Sequence, residues 1–213
     1  MRVRSNSSME HVSRFFDQYL TAECSMLRLQ LSSSFSNAFL GGLAVFSFLW
    51  LGSSVVWAAV IAWGCFFHTG GEARTMSRGI IGNLLGILAG WTAGLILTQN
   101  PAVIPGPVWG GVMVGLVTFV MVFIGHQLAV YFKLTIAVVP AAFYGAAATF
   151  AYMVQTPGKL TPDNLLSASF GNPLVCLPIA MVIGSFLGLA TAKMTGALAA
   201  GGASEAEPGK ATA

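Results

Sequence analysis

Glycine recurs at every fourth position through one continuous apolar stretch, residues 79–97. In water, each interior glycine would cost a helix about 0.8–1 kcal/mol relative to alanine. In lipid the backbone must satisfy its own hydrogen bonds, so the helix persists, and a row of glycines lets a neighbouring helix approach closely. We therefore predict a membrane helix that contacts another helix through four residues: Gly82, Gly86, Gly90 and Gly94.

The composition is that of a membrane protein. Charged residues make up 8% of the 213 residues and the mean hydropathy is +0.76, whereas soluble domains carry about 25% charged residues. The acidic residues and most of the basic ones lie in the tails or between apolar segments. The net charge of +3 is explained by membrane orientation, so we predict the lipid bilayer as a partner and no nucleic acid.

Six apolar segments follow one another along the chain. A membrane-spanning helix needs about 20 residues, and most of the segments are long enough. The second is short, and is expected either to extend into the turn at residues 68–71 or to form a tight hairpin with the first across residues 52–54. The segments are residues 35–51, 53–67, 79–97, 108–124, 134–154 and 170–192.

The basic residues indicate the orientation. With six spans and a cytoplasmic N-terminus, every arginine and lysine except Lys159 falls on the cytoplasmic side, as the excess of positive charge in cytoplasmic loops requires. We therefore expect both termini in the cytoplasm. His68 and His126 fall at the cytoplasmic ends of spans, where we expect interfacial anchoring rather than a proton gate.

The sequence also indicates an internal duplication. The uncharged linker at residues 98–107, which is expected on the extracytoplasmic side, separates two halves, 35–97 and 108–195, of three spans each. Because three is odd, the second half must insert upside down, which is an architecture of many transporters. The matching segments are Leu40-Gly41-Gly42 with Trp109-Gly110-Gly111, Trp57-Ala58-Ala59 with Pro140-Ala141-Ala142, and the glycine row with a second one through Gly184 and Gly188.

One further match has a different register. Gly82-Asn83-Leu84-Leu85 resembles Gly171-Asn172-Pro173-Leu174, but this pairing and the pairing of the glycine rows hold together only with an insertion. The predicted fold is thus an all-α polytopic membrane protein of about six transmembrane helices, arranged as two inverted three-helix repeats.

The two ends of the chain are expected to lie outside the repeats. Residues 1–34 are predicted to form a cytoplasmic segment, either an amphipathic helix in the membrane interface or a partly ordered tail. Residues 196–213 are small and polar and are predicted to be a disordered cytoplasmic tail.

No span carries a set of residues suited to catalysis. A membrane enzyme would need a nucleophile beside a base, paired carboxylates or metal ligands, and Cys24, Cys65 and Cys176 are too scattered for a metal cluster. We predict no enzymatic activity, no catalytic residues, no metal and no cofactor.

Neutral polar and aromatic residues are the candidates for a solute path. Asn83 and Asn172 each lie near the start of a glycine-bearing segment. In two inverted repeats they are expected to face one another and to offer amide hydrogen bonds to a solute. The alternative is that both are helix caps or bond between helices. Three further candidates, which packing or helix kinks would also explain, are Trp57, Pro140 and Thr149.

Three segments resemble a known family. They are the small-residue and tryptophan segment at residues 57–67, the glycine row, and Pro140-Ala141-Ala142-Phe143-Tyr144-Gly145-Ala146-Ala147-Ala148-Thr149-Phe150-Ala151. Over about residues 38–195 the chain is similar to the small bacterial inner-membrane proteins of unknown function typified by YcdZ. The resemblance implies a compact multi-pass protein of the bacterial inner membrane and no catalytic residues.

Two functions remain open at this point. The first is a facilitator or channel for a small neutral or weakly polar solute, formed between the two halves. The second is a non-transporting scaffold whose glycine faces assemble a homo-oligomer or hold a partner protein.

Overall fold

The computed structural model describes residues 6–53, 55–101, 103–133 and 138–205, and side-chain surroundings for those of them between 18 and 201. These residues form helices joined by turns, and no strand occurs among them. The helices are α1 (Asn6–Trp50), α2 (Val56–His68), α3 (Ala73–Thr98), α4 (Gly106–Tyr131), α5 (Val138–Gln155), α6 (Pro162–Leu165) and α7 (Pro173–Glu205).

Five helices are long and apolar enough to cross a membrane: Gln18–Trp50 within α1, α3, α4, α5, and Pro173–Gly201 within α7. The prediction of an all-helical polytopic membrane protein is confirmed. The remaining predicted span, the second along the chain, corresponds to α2, which is apolar but only 13 residues long. At 1.5 Å per residue such a helix extends about 20 Å, less than the roughly 30 Å of a bilayer core.

The turns flanking α2 show how the second segment folds. The chain leaves α1 through Gly52, whose φ of 65° is the left-handed conformation that glycine tolerates, and re-enters a helix at Val56. At the other end α2 stops at His68. The connection to α1 is therefore short, as one of the two alternatives expected, and of the turn at residues 68–71 only His68 belongs to α2.

The ends of the chain are more helical than expected. Helix α1 runs without interruption through the predicted boundary at residue 34, so residues 6–34 are neither a loose tail nor a separate interfacial helix. Helix α7 likewise continues to Glu205, which makes the predicted disorder wrong for residues 196–205. The rest of that predicted tail, 206–213, lies outside the described residues, as do 134–137 at the start of the fifth predicted span.

The chain divides into two compact units. The first is Met1–Leu40 with Thr191–Ala213, and the second is Gly41–Ala190, so α1 and α7 each contribute to both. In the described part of the first unit, Ser32 and Ser36 are buried. The Ser36 hydroxyl donates to the Ser32 carbonyl oxygen at 2.7 Å, which satisfies its hydrogen bond within α1.

The second unit is built around α3 and α5. These two helices pack along their length, while α4 lies against both of them and buries only Met121 and Gly125. The core of this unit combines α2, α3, α5 and the first half of α7. Apart from the aromatic Tyr152, its side chains are small or unbranched and branched apolar ones: Val55, Ala58, Ala62, Ile87, Ala148, Cys176, Leu177, Ala180 and Met181.

Helix α3 begins six residues before the apolar stretch that marked it in the sequence. Glu72 is the N-cap residue, its side chain accepts from the backbone N–H of Thr75, and the Glu72 N–H donates back to the Thr75 hydroxyl. This reciprocal pair satisfies two of the free N–H groups at a helix start. It places the helix start in the polar turn and Asn83 well inside the helix.

Candidate functional site

The glycine row of α3 faces α5. A methyl group on Gly86 would collide with the carbonyl oxygen of Ala142, and one on Gly90 would lie 2.8 Å from the Cβ of Thr149. The outer two glycines follow the same line, Gly82 against Val138 and Ala141 of α5 and Gly94 against Met153. The two backbones therefore approach as closely as glycine permits.

The contact is reciprocal, because α5 contributes a glycine of its own. A methyl group on Gly145 would collide with the backbone carbonyl of Asn83. Each helix therefore has a glycine that contacts a backbone carbonyl group of the other helix. Gly145 was not among the residues predicted at contacts, although its run of glycine and alanine in the fifth segment was a visible signal for one.

The second glycine row has a different partner. On α7, a methyl group on Gly184 would collide with the carbonyl oxygen of Ala59, and one on Gly188 would lie 2.6 Å from the ring of Phe66. Both partners belong to α2. The short second helix is therefore the surface against which α7 packs.

These contacts connect the two halves in an exchanged pattern. The third helix of the first half packs on the second helix of the second half, and the third helix of the second half packs on the second helix of the first. The pairs also agree in register. Gly86 contacts Ala142, and Gly184 contacts the equivalent Ala59. The next glycine of each row contacts the residue seven positions after that alanine, which is Thr149 in one pair and Phe66 in the other. The contacts follow the predicted matching of the second and third segments.

The same register separates the two asparagines. Asn83 comes three residues before Gly86, and Met181 comes three residues before Gly184, so Met181 takes the place of Asn83 in the second half. The match of Gly82-Asn83 with Gly171-Asn172 does not agree with these contacts. The reason is that Asn172 precedes α7, whereas Asn83 lies within α3.

Asn83 is a buried amide with no nitrogen or oxygen hydrogen-bond partner. Its side chain is 1% exposed, and neither its Nδ2 nor its Oδ1 makes a hydrogen bond. The Cys65 thiol of α2 lies beside it as a weak hydrogen-bonding neighbour, and Gly145 of α5 packs on its backbone. Since a buried unpaired polar group costs about 1–3 kcal/mol, this amide is an unfavourable feature of the interface between α3 and α5.

Asn172 has the opposite environment. Its Nδ2 donates to the carbonyl oxygens of Leu165 and Ser167 at 2.8 and 2.7 Å, and its Oδ1 accepts from the N–H of Leu174 at 2.9 Å. It therefore caps the start of α7 and ties down the preceding loop. The capping interpretation is right for Asn172 and wrong for Asn83.

The loop between α5 and α7 accepts hydrogen bonds from side chains of α3 and α5 and from the residue that caps α7. Besides Asn172, Trp91 of α3 donates from Nε1 to the Leu165 carbonyl oxygen at 2.8 Å, and the Tyr152 hydroxyl of α5 donates to the Gly171 carbonyl oxygen at 3.1 Å. Leu165 itself is fully buried. The Lys159 ammonium lies 5.7 Å from the centre of the Tyr152 ring.

The three remaining path candidates lie at separate places. Trp57 is partly buried at the edge of the core. Pro140 lines an apolar groove between α2 and α5 of about 490 Å³, together with His68 and Tyr144. Thr149 is fully buried, and its hydroxyl donates to the Gly145 carbonyl oxygen at 2.9 Å, so its polar group is satisfied within α5.

Asn83 lines neither that groove nor the other cavities described between the helices. One of about 270 Å³ lies between α3 and α4 and is lined by aliphatic side chains and Thr92. Another, of about 10 Å³, lies beside Gly90 and Thr118. Among the described residues, no three His, Cys, Asp or Glu side chains are grouped so as to hold a metal ion.

Comparison with known families identifies the chain at the family level. The model of a family of proteins of unknown function, DUF1097, matches residues 34–196. The chain belongs to this family. The match includes both glycine rows, Asn83 and Asn172, and it agrees with the expected resemblance to a family of unknown function. No curated protein and no solved structure matches the chain.

Proposed function

We propose that the protein is a passive facilitator for a small neutral or weakly polar solute in the bacterial inner membrane, with both termini in the cytoplasm and no chemical step or cofactor. The observation that carries this proposal is the Asn83 amide, buried in the α3–α5 contact with both polar atoms unpaired. A polar group kept at such a cost in a membrane helix is a functional candidate.

The arrangement of the halves supports the same function. In transporters built from inverted repeats, the site lies at the interface of the repeats, and Asn83 lies on the first half where it meets Gly145 of the second. Its neighbours Cys65, Gly145 and Ile87 carry no charge. An ion would lose its hydration without replacement there, whereas a neutral solute loses much less.

Swelling of proteoliposomes tests the proposal. We expect the wild-type protein to admit at least one solute from a panel of small amides, polyols and ammonium faster than empty liposomes do, and Asn83→Leu to remove that excess per folded molecule. Gly64→Ala is a matched control, because Gly64 lies on exposed helix surface with no neighbour within 4 Å of an added methyl group. Rates equal to empty liposomes for every solute would contradict the proposal.

The scaffold is the second candidate. Its original basis is weakened, because both glycine rows contact helices of the same chain. One observation still favours it: methyl groups on Gly111 and Gly115 of α4 would meet nothing within 4 Å, so this small-residue face is open to a second copy or another membrane helix. A protein that forms oligomers and passes no solute would fit this candidate.

A further inference from the structure

The chemistry of the Asn83 site narrows the class of solute, and this step rests on the facilitator function proposed above. A primary amide presents an N–H donor and a carbonyl acceptor side by side in one plane. In Asn83 both are buried and unpaired. A ligand that satisfies both at once must carry an acceptor and a donor at the same spacing, and must be neutral to enter an uncharged site.

The surroundings of Asn83 offer little competition for those two groups. Gly145 presents backbone without a side chain, and Ile87, one turn further along α3, is apolar and 1% exposed. The Cys65 thiol is a weak hydrogen-bond donor and acceptor. The amide therefore has only the weak contact with this thiol to exchange when a ligand arrives, so its donor and its acceptor can both pair with a ligand.

The second half of the protein lacks this site. Met181 takes the position of Asn83. Ala148 takes the position of Cys65, because Gly145 corresponds to Ala62 and each of the two positions follows three residues later. Both positions lie in helix contacts made by small residues, but only the first half has an amide side chain there. Asn83→Met therefore makes the first half resemble the second, and it is a substitution that the fold already accepts elsewhere.

We propose that Asn83 forms a binding site for a small neutral primary amide of the urea or acetamide type, held by one donated and one accepted hydrogen bond. Such a molecule has its own carbonyl oxygen beside an N–H and pairs with the asparagine amide in both directions. Glycerol does not offer this planar pair, and ammonium has donors only.

Flux of urea and glycerol into proteoliposomes tests this site. We expect wild-type protein to carry urea well above empty liposomes and glycerol at the rate of empty liposomes. Loss of two hydrogen bonds should lower protein-mediated urea flux by about tenfold or more in Asn83→Met, while Gly64→Ala keeps the wild-type rate. Flux is expressed per folded molecule, determined from the monomer peak in detergent.

A second measurement needs no variant. Acetamide at equal concentration on both sides of the membrane should slow urea entry through wild-type protein, because both compete for one site, whereas glycerol under the same conditions should have no effect. This result is informative even if Asn83→Met does not fold.

The other outcomes separate the inference from the function on which it rests. Equal passage of glycerol and urea, passage of water alone, absence of competition by acetamide, or wild-type urea flux in Asn83→Met would each overturn the amide site and leave a facilitator. If no solute exceeds empty liposomes, the facilitator function fails together with the site.

Discussion

Two asparagines show how one residue type takes opposite roles in one chain. Asn172 makes three hydrogen bonds at the start of α7, and Asn83 makes none. In the sequence both stand directly after a glycine and near a glycine row, so their immediate neighbours do not distinguish them. What separates them is the position of the helix start, which the Glu72 and Thr75 cap sets for α3.

The two environments predict opposite effects on stability. Asn172→Leu removes a cap and leaves buried carbonyl groups without a donor, so we expect it to lower the unfolding free energy by about 0.5–2 kcal/mol. Asn83→Leu replaces an unpaired amide by an apolar group of similar size, so stability should be unchanged or higher. Thermal unfolding of both variants in detergent checks this. A clear loss of stability in Asn83→Leu would show that the amide has a partner within the folded protein.

Among the helices, the contact between α3 and α5 depends on what each glycine meets. Gly86 faces a backbone carbonyl of Ala142, which has no rotamer to change, whereas Gly94 faces the flexible side chain of Met153. The same row therefore contains positions of very different tolerance. Spacing alone does not show this, because every glycine in the row looks alike in the sequence.

A series of alanine substitutions tests that difference. We expect Gly86→Ala to lower stability by about 1–3 kcal/mol through overpacking, with Gly94→Ala less affected because Met153 can move. Gly64→Ala, which meets open space, should match the wild type or exceed it slightly. Thermal stability and monomer yield in detergent provide the comparison. Equal behaviour of Gly86→Ala and Gly64→Ala would show that α3 and α5 are not in close contact.

Sequence reasoning found the membrane helices and the glycine rows, because hydropathy and four-residue spacing are local properties. It did not find which helix each row meets, since small residues are frequent in most of the apolar segments and only three-dimensional packing selects α5 and α2. It also began the first helix too late and ended the last one too early. Polar residues mark where a helix leaves the lipid, and α1 and α7 remain helical beyond that point.

For the whole molecule, the exchanged contacts make the two halves depend on each other. Gly86 and Gly184 each find their partner in the opposite half, so a half expressed alone would leave its glycine row uncovered. Solute sites of inverted-repeat proteins are formed in the same way, by residues that neither half brings together alone. The interface that stabilises the fold is therefore also the place where a site such as that of Asn83 can exist.

The number of crossings depends on the shortest helix. If α2 did not cross, the chain would cross five times, and a cytoplasmic N-terminus would leave Arg74, Arg78, Lys133 and Lys193 outside, against the positive-inside rule. If α2 crosses, only Lys159 is outside. Crossing is physically acceptable because Val55 and Thr69, which flank α2, are buried in protein, and non-helical backbone at membrane depth is tolerated where protein covers it.

We therefore predict six crossings, which labelling of intact cells with an impermeant thiol reagent can check. The native Cys24 is exposed and reports on the N-terminal side, while Asn100→Cys and Ser204→Cys, each made with Cys24→Ser, report on the linker and the C-terminal side. Cys65 and Cys176 are buried and should stay unlabelled in each variant.

With six crossings, Asn100→Cys is labelled in intact cells, and Cys24 and Ser204→Cys only after the cells are opened. With five crossings and the same N-terminal side, Ser204→Cys is labelled and Asn100→Cys is protected, which would place α2 on one side of the membrane and contradict the predicted inversion of the halves.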